Sequence, residues 1–221
     1  MQTLRYIQYF FYLASNWNPG IAWHIIKNEI RGEKKYGINS TGADELHSLE
    51  KKGIDISHAT IYMPASYDLL EKVFQQVPVH SVSHFIDIGS GKGRAMCVAA
   101  HAGITKMSGL DLSKELCGDA LKNLAITKTI FPSLNYKIIN NDAFYFEIPE
   151  DADCIFLFNP FDEVVMSAVL GNIRASLEEY PRKMTVIYLN PLQKHLFIEE
   201  GYKEVFHTKK MNYLEASILI K

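Results

Sequence analysis

The residues of this 221-residue chain that are equipped for chemistry fall into four short groups. The first is Asp87-Ile-Gly-Ser-Gly-Lys-Gly93, in which Gly89, Gly91 and Gly93 alternate behind a carboxylate. Such a turn brings backbone N–H groups against a ligand with no side chain in the way. A helix starting at Arg94 would aim its unpaired N–H groups at the same place. A dinucleotide turn spaces its glycines Gly-x-Gly-x-x-Gly, and here the third comes one residue early. The Asp87 carboxylate would repel a pyrophosphate but suits a ligand with an ammonium group. The second group is Asp111, 20 residues after Gly91, the reach of a carboxylate that grips ribose hydroxyls. The third, Asn141-Asp142-Ala143, stands where an adenine ring would lie. The fourth is Asn159-Pro160-Phe161-Asp162.

The elements that must position these groups are legible in the apolar pattern. Phe85, Ile86 and Ile88 make a short strand of the kind covered on both faces. From residue 84 onward strands and helices alternate, with strands near 106–112, 135–140, 153–158 and 184–189. Two last strands, near 203–208 and 213–220, have no helix between them and so pair antiparallel. The expected fold is α/β: a doubly wound, seven-stranded, mostly parallel sheet with an antiparallel edge hairpin at the C-terminus and helices at the N-terminus. In such sheets ligands bind outside the carboxyl ends of the strands. All four groups fall at strand ends, as does Asn190-Pro191.

Upstream, residues 1–16 read as an amphipathic helix with Tyr6, Phe10 and Leu13 on a broad apolar side. It packs on the domain, or as an alternative contacts a partner or a membrane surface through residues 1–17. Asn18-Pro19 opens a second helix with Ala22, Ile26 and Ile30 in one stripe, and Gly32 is placed to end it. Residues 32–61 are expected to be loop-rich, a candidate lid. The chain is thus divided at 1–61, an N-terminal extension and cap, and 62–221, the ligand-binding domain.

Composition sets the outer bounds. The chain is 48% apolar and 22% charged with a net charge of −2, ordinary for a globular protein. No basic block points to nucleic acid. Cys97, Cys117 and Cys154 are well separated within apolar runs and read as buried free thiols of a reducing compartment, so a cytoplasmic location is expected. The histidines never take a metal-ligand spacing, and no metal site is expected. The apolar run Ile7–Ala14 is too short to span a bilayer.

These residues resemble the class I S-adenosylmethionine-dependent methyltransferases. Asp87–Gly93 is similar to their first motif, Asp111 to the acidic second, Asn141–Ala143 to the adenine-side loop and Phe158–Phe161 to the fourth motif. The resemblance covers residues 62–221. More closely, the chain resembles uncharacterised bacterial methyltransferase-domain proteins through Tyr36-Gly37, Tyr62–Pro64, Leu157–Asp162 and Tyr188–Pro191.

The resemblance implies S-adenosylmethionine as cofactor. It would pass over Gly89, Ser90, Gly91 and Gly93, with Asp87 toward its ammonium, Asp111 on both ribose hydroxyls and Asp142 on the adenine amino group. Asn159 and Pro160 would offer an Asn oxygen and a backbone carbonyl to an amine acceptor, with Phe161 packed on it. Amine methyltransferases carry Asn-Pro-Pro-Tyr or Asn-Pro-Pro-Phe; this chain has one proline, so Phe161 comes early and Asp162 takes the fourth place. Two alternatives stay open there: Asp162 caps the next helix, or Asp162 and Glu163 act as a base for an oxygen or carbon acceptor. The acceptor is a small molecule or a protein. The competing functions are a cofactor-binding module without transfer and a nicotinamide-dependent oxidoreductase.

Overall fold

A computed structural model describes residues 2–16, 18–42, 64–158, 161–210 and 214–221. Its centre is a seven-stranded sheet in the order β3-β2-β1-β4-β5-β7-β6. The strands are β1 (Phe85–Ile88), β2 (Lys106–Asp111), β3 (Asn135–Asn140), β4 (Cys154–Phe158), β5 (Thr185–Leu189), β6 (Lys203–Lys210) and β7 (Leu214–Ile220). The first five run parallel, and β7 inserts antiparallel between β5 and β6. This is the mostly parallel sheet with a C-terminal antiparallel hairpin that the alternation predicts.

The helices are α1 (Gln2–Asn16), α2 (Pro19–Tyr36), α3 (Tyr67–Phe74), α4 (Arg94–Ala102), α5 (Lys114–Ile130), α6 (Glu163–Glu179) and α7 (Lys194–Glu199). Side chains alternate across the strands, as their two-residue period requires. Phe85, Cys154, Phe156 and Ile187 enter one core with α3 and α4. Ile86, Ile155, Leu157 and Val186 enter the other with α6 and α7. All three cysteines are free and buried within these layers. Among the described residues no helix is long and apolar enough to cross a membrane.

The N-terminal helices depart from the expected pattern in two respects, at Gly32 and at Ile30. Asn18 caps α2 by accepting from Ile21 N at 2.9 Å, with Pro19 in the first turn. Gly32 does not end α2, which runs on to Tyr36 and stops at Gly37 with φ 69°. A Cβ on Gly32 would lie 2.1 Å from the Tyr67 ring, so this glycine lets α2 and α3 approach closely. Ile30 faces solvent, whereas Ala22 and Ile26 are buried. Most of the predicted loop, residues 43–61, lies outside the described residues.

Candidate functional site

The site is built where β1 and β2 end. Gly89 N and Ser90 N both donate to Leu110 O at 2.8 Å, laying the loop across the neighbouring strand end. Gly93 N then donates to Ser90 O at 2.8 Å and closes the turn that launches α4. Gly89, Gly91 and Gly93 have φ of 82°, 52° and 74°, a backbone region that strains other residues. Gly109, in β2, makes the approach possible: a Cβ there would lie 2.6 Å from Met96 Sδ and 3.0 Å from Ser90 Cβ.

Asp111 is held from two sides. Its Oδ2 accepts from Gly91 N at 2.7 Å and its Oδ1 from Ser113 N at 2.8 Å. Each carboxylate oxygen keeps acceptor capacity beyond that one bond. Burial raises the Asp111 pKa, and the two backbone N–H groups oppose the rise. Asp87 is almost fully buried, and none of the described residues donates a hydrogen bond to its side chain. Burial first, and then the Asp111 charge, push its pKa well above the usual carboxylate range. Cys117 Sγ lies 3.6 Å from Asp111 O, and burial pushes its thiol up to about 11, so it stays protonated at neutral pH and is no nucleophile.

The end of β3 is tied to the same place. Asn141 N donates to Asp111 O, and Asn140 Nδ2 donates to the carbonyls of Asp111 and Leu112. Asp142 accepts from Phe144 N at 2.9 Å through Oδ1, and Ala143 is buried. The structure therefore brings Asp87, Gly89, Ser90, Gly91, Gly93, Asp111, Asn141, Asp142 and Ala143 to the carboxyl ends of three adjacent strands.

The fourth group is only partly in view. Asn159 and Pro160 lie outside the described residues. Phe161 is partly buried against the core that contains α6. Asp162 Oδ1 accepts from Val164 N and Val165 N at 3.1 Å, the geometry of a helix cap. Tyr188, at the neighbouring strand end, is buried edge-on against Phe197, with its hydroxyl on Gln193.

Several residues of this region were not predicted from the sequence. Lys92 is only 3% exposed, and its carbonyl accepts from Asn123 Nδ2 at 2.9 Å. Arg94, the first residue of α4, is buried and paired with Glu29 of α2. One local signal marks that pair: Glu29 and Glu33 continue the buried Ala22–Ile26 stripe at helical spacing, where apolar residues belong.

A family model described as histone methylation protein DOT1 matches residues 52–192, which hold all four groups. The chain belongs to that DOT1 family. No curated protein matches it. Among solved structures it is similar to ribosomal protein L11 methylase from Lactobacillus delbrueckii subsp. bulgaricus, with 15% identity, a TM-score of 0.53, and 69% of this chain and 76% of that one covered. An RNA methyltransferase from Salinibacter ruber, solved with S-adenosyl-L-homocysteine, shows 16% identity, a TM-score of 0.50 and coverages of 72% and 92%. An O-methyltransferase (NcsB1) from neocarzinostatin biosynthesis, solved with S-adenosylmethionine, shows 12% identity, a TM-score of 0.51 and coverages of 66% and 51%. At these identities the likeness is one of fold.

As a DOT1-family protein the chain is an S-adenosylmethionine-dependent methyltransferase, and its own residues fit that cofactor. Ser90 Oγ is buried at the loop with no hydrogen-bond partner, a polar atom that a ligand would satisfy. The Asp87 carboxyl, to which none of the described residues donates, stands at the same loop and suits a ligand ammonium. Asp111 presents two oxygens beside the loop for vicinal hydroxyls.

Proposed function

We propose that this DOT1-family enzyme transfers a methyl group to an amine nitrogen, with a protein side-chain amine as the acceptor class. The amine reading rests on Asn159-Pro160 at the end of β4, and the protein reading rests on the family description. The observation that carries the cofactor arrangement is Asp111, pinned between Gly91 N and Ser113 N beside Asp87 and the unpartnered Ser90 Oγ.

When bound, S-adenosylmethionine supplies a methyl already activated by its sulfonium, so the protein's work is alignment and exclusion of water. Asp111 holds the ribose hydroxyls. Asp142 uses Oδ1 as a cap, and its Oδ2 reads the adenine amino group. Asp87 would stand as the counter-charge to the ammonium, any proton it holds passing to solvent. Asn159 and the Pro160 carbonyl accept from the acceptor N–H groups, so that the nitrogen lone pair faces the methyl. Phe161 backs the acceptor. A lysine amine is an ammonium at neutral pH and loses its proton to water before transfer, so Asp162, engaged as a helix cap, is not required as a base.

Radiolabelled S-adenosylmethionine and a lysine-containing protein substrate such as histone H3 test this reading. Label should appear in N-methyl-lysine on hydrolysis. Transfer confined to carboxyl or hydroxyl oxygen would overturn the amine assignment.

A further inference from the structure

The structure carries buried polar machinery that a methyltransferase sheet does not need for its fold, and all of it converges on one short strip of chain. Residues 38–42 have no regular secondary structure, yet Ile38, Ser40 and Thr41 are buried. Buried irregular backbone must find its hydrogen bonds somewhere. Here they come from three helices. From α2, Glu33 Oε1 accepts from both Ser40 N and Thr41 N at 2.7 Å, while Glu33 Oε2 accepts from Tyr6 OH of α1. These donors hold the Glu33 carboxyl below its usual range despite burial. From α5, the Asn123 amide takes Asn39 N and gives to Asn39 O, and the same Nδ2 gives to Lys92 O inside the glycine loop.

The third helix is α4 itself. Arg94, next to Gly93, reaches back with its whole fork. Nη1 and Nη2 donate to the two oxygens of Glu29 at 2.7 and 2.5 Å, Nε donates to Ser40 Oγ at 2.9 Å, and Nη1 also donates to Ala65 O at 2.8 Å. The guanidinium lies 4.1 Å from the centre of the Tyr67 ring. Thr41 Oγ1 adds a bond to Glu29 at 2.6 Å. Glu29 and Arg94 are 1% and 3% exposed, so the pair is fully desolvated. A buried pair of this kind is weak as a source of stability, because apolar residues of the same volume do as well. What it supplies is direction: a bidentate fork fixes where the helix N-terminus points.

We propose that α1, α2 and residues 38–42 form a clamp on the cofactor loop, with Glu29, Arg94 and Asn123 as positioning residues for S-adenosylmethionine. Glu29, Glu33 and the strip lie outside the stretch that matches the family model, whereas Arg94 and Asn123 lie within it. The clamp acts through Lys92 and Arg94, on either side of Gly93. It therefore sets both the turn under the methionine end of the cofactor and the first N–H groups of α4.

The inference rests on S-adenosylmethionine being the ligand, and the test separates the two. Titration calorimetry with S-adenosylmethionine and a thermal melt are run on the full chain, the double variant Glu29→Leu/Arg94→Met, and Arg94→Lys. The double variant removes both charges at similar volume and is expected to melt within a few degrees of the parent yet bind at least tenfold more weakly. Arg94→Lys keeps the charge but loses the fork, and should fall between. A folded double variant with parental affinity would overturn the clamp. No binding by the parent would overturn the cofactor reading itself. Hydrogen exchange on the unmodified chain covers the case in which the variants do not fold. Added S-adenosylmethionine should protect the Ser40 and Thr41 amides together with those of Gly91 and Gly93. Protection of the glycine loop without Ser40 and Thr41 would sink the proposal.

Discussion

The two halves of the sheet's carboxyl edge are built differently. Over β1–β3, carboxylates and amides lock the backbone: Asp111 to Gly91 and Ser113, Asn140 to the end of β2, Asn123 to the glycine loop. Over β4 and β5, the side chains in view serve their own elements. Asp162 caps α6, Tyr188 sits in the core, and Phe161 leans on the α6 side. The difference fits the roles proposed for the two halves. A cofactor of constant shape rewards a rigid, pre-satisfied site, since ordering has been completed before it binds. An acceptor site has only to aim one atom. The largest predicted effects therefore divide by half: damage to the acceptor half appears in turnover, damage to the cofactor half in binding.

Asn159→Ala is the strongest probe of that division. Removing one aligned acceptor is expected to lower kcat by about 10²–10³-fold, with the affinity for S-adenosylmethionine unchanged in calorimetry. A parallel loss of affinity would place Asn159 in the cofactor half. Next comes Asp111→Ala, which would remove both proposed ribose contacts and free Gly91 N. Two hydrogen bonds to a charged group amount to about 3 kcal/mol, so binding should weaken roughly 100-fold. Unchanged affinity would remove Asp111 from the ribose role.

Asp87→Asn separates stability from binding. The folded Asp87 pKa is raised above its unfolded value by burial and by the Asp111 charge. The folded chain therefore holds the proton more tightly, and stability falls as pH rises from about 4, the unfolded value, toward the folded pKa. The amide cannot ionise, so ligand-free Asp87→Asn should melt higher than the parent at pH 7, by about 2–6 °C for roughly 1–2 kcal/mol. Its advantage should vanish below pH 4. The same substitution should weaken S-adenosylmethionine binding about tenfold, since an ammonium loses its counter-charge. Parental binding should strengthen with rising pH, and calorimetry in buffers of different ionisation enthalpy should register a released proton. Unchanged affinity in Asp87→Asn would mean that Asp87 does not meet the ammonium.

Legibility in the sequence followed the range of the interaction. The strands, the glycine loop and the acid at the end of β2 announce themselves because their physics is local: alternation, positive φ, a carboxylate at a strand end. Gly32 misleads because a stop and a close approach share one residue type, and only Tyr67, far along the chain, decides between them. The Lys92 carbonyl is held by Asn123, which belongs to another element and leaves no mark in the loop's own residues. The Glu29–Arg94 pair spans 65 residues, and its only local trace is a charge on an apolar stripe. Buried polar pairs need a partner to be recognised, and a single sequence does not say which residues meet.

The smallest effect tests the other open choice at β4. Asp162 accepts from two first-turn N–H groups of α6 at 3.1 Å, and a cap of that kind is worth about 1 kcal/mol. Asp162→Ala should therefore lower Tm by about 2–4 °C and leave kcat within twofold of the parent. A general base would behave otherwise, since its loss costs about 10²–10⁴-fold in rate. Asp162→Asn discriminates further, because an asparagine caps nearly as well as an aspartate but cannot take a proton. Parental Tm and parental kcat in that variant would complete the case for an amine acceptor that sheds its proton to water and then needs only its lone pair aimed. Parental Tm with collapsed kcat would move the acceptor to oxygen or carbon, and the acceptor half of the sheet would then hold a charge with a chemical duty, as the cofactor half does.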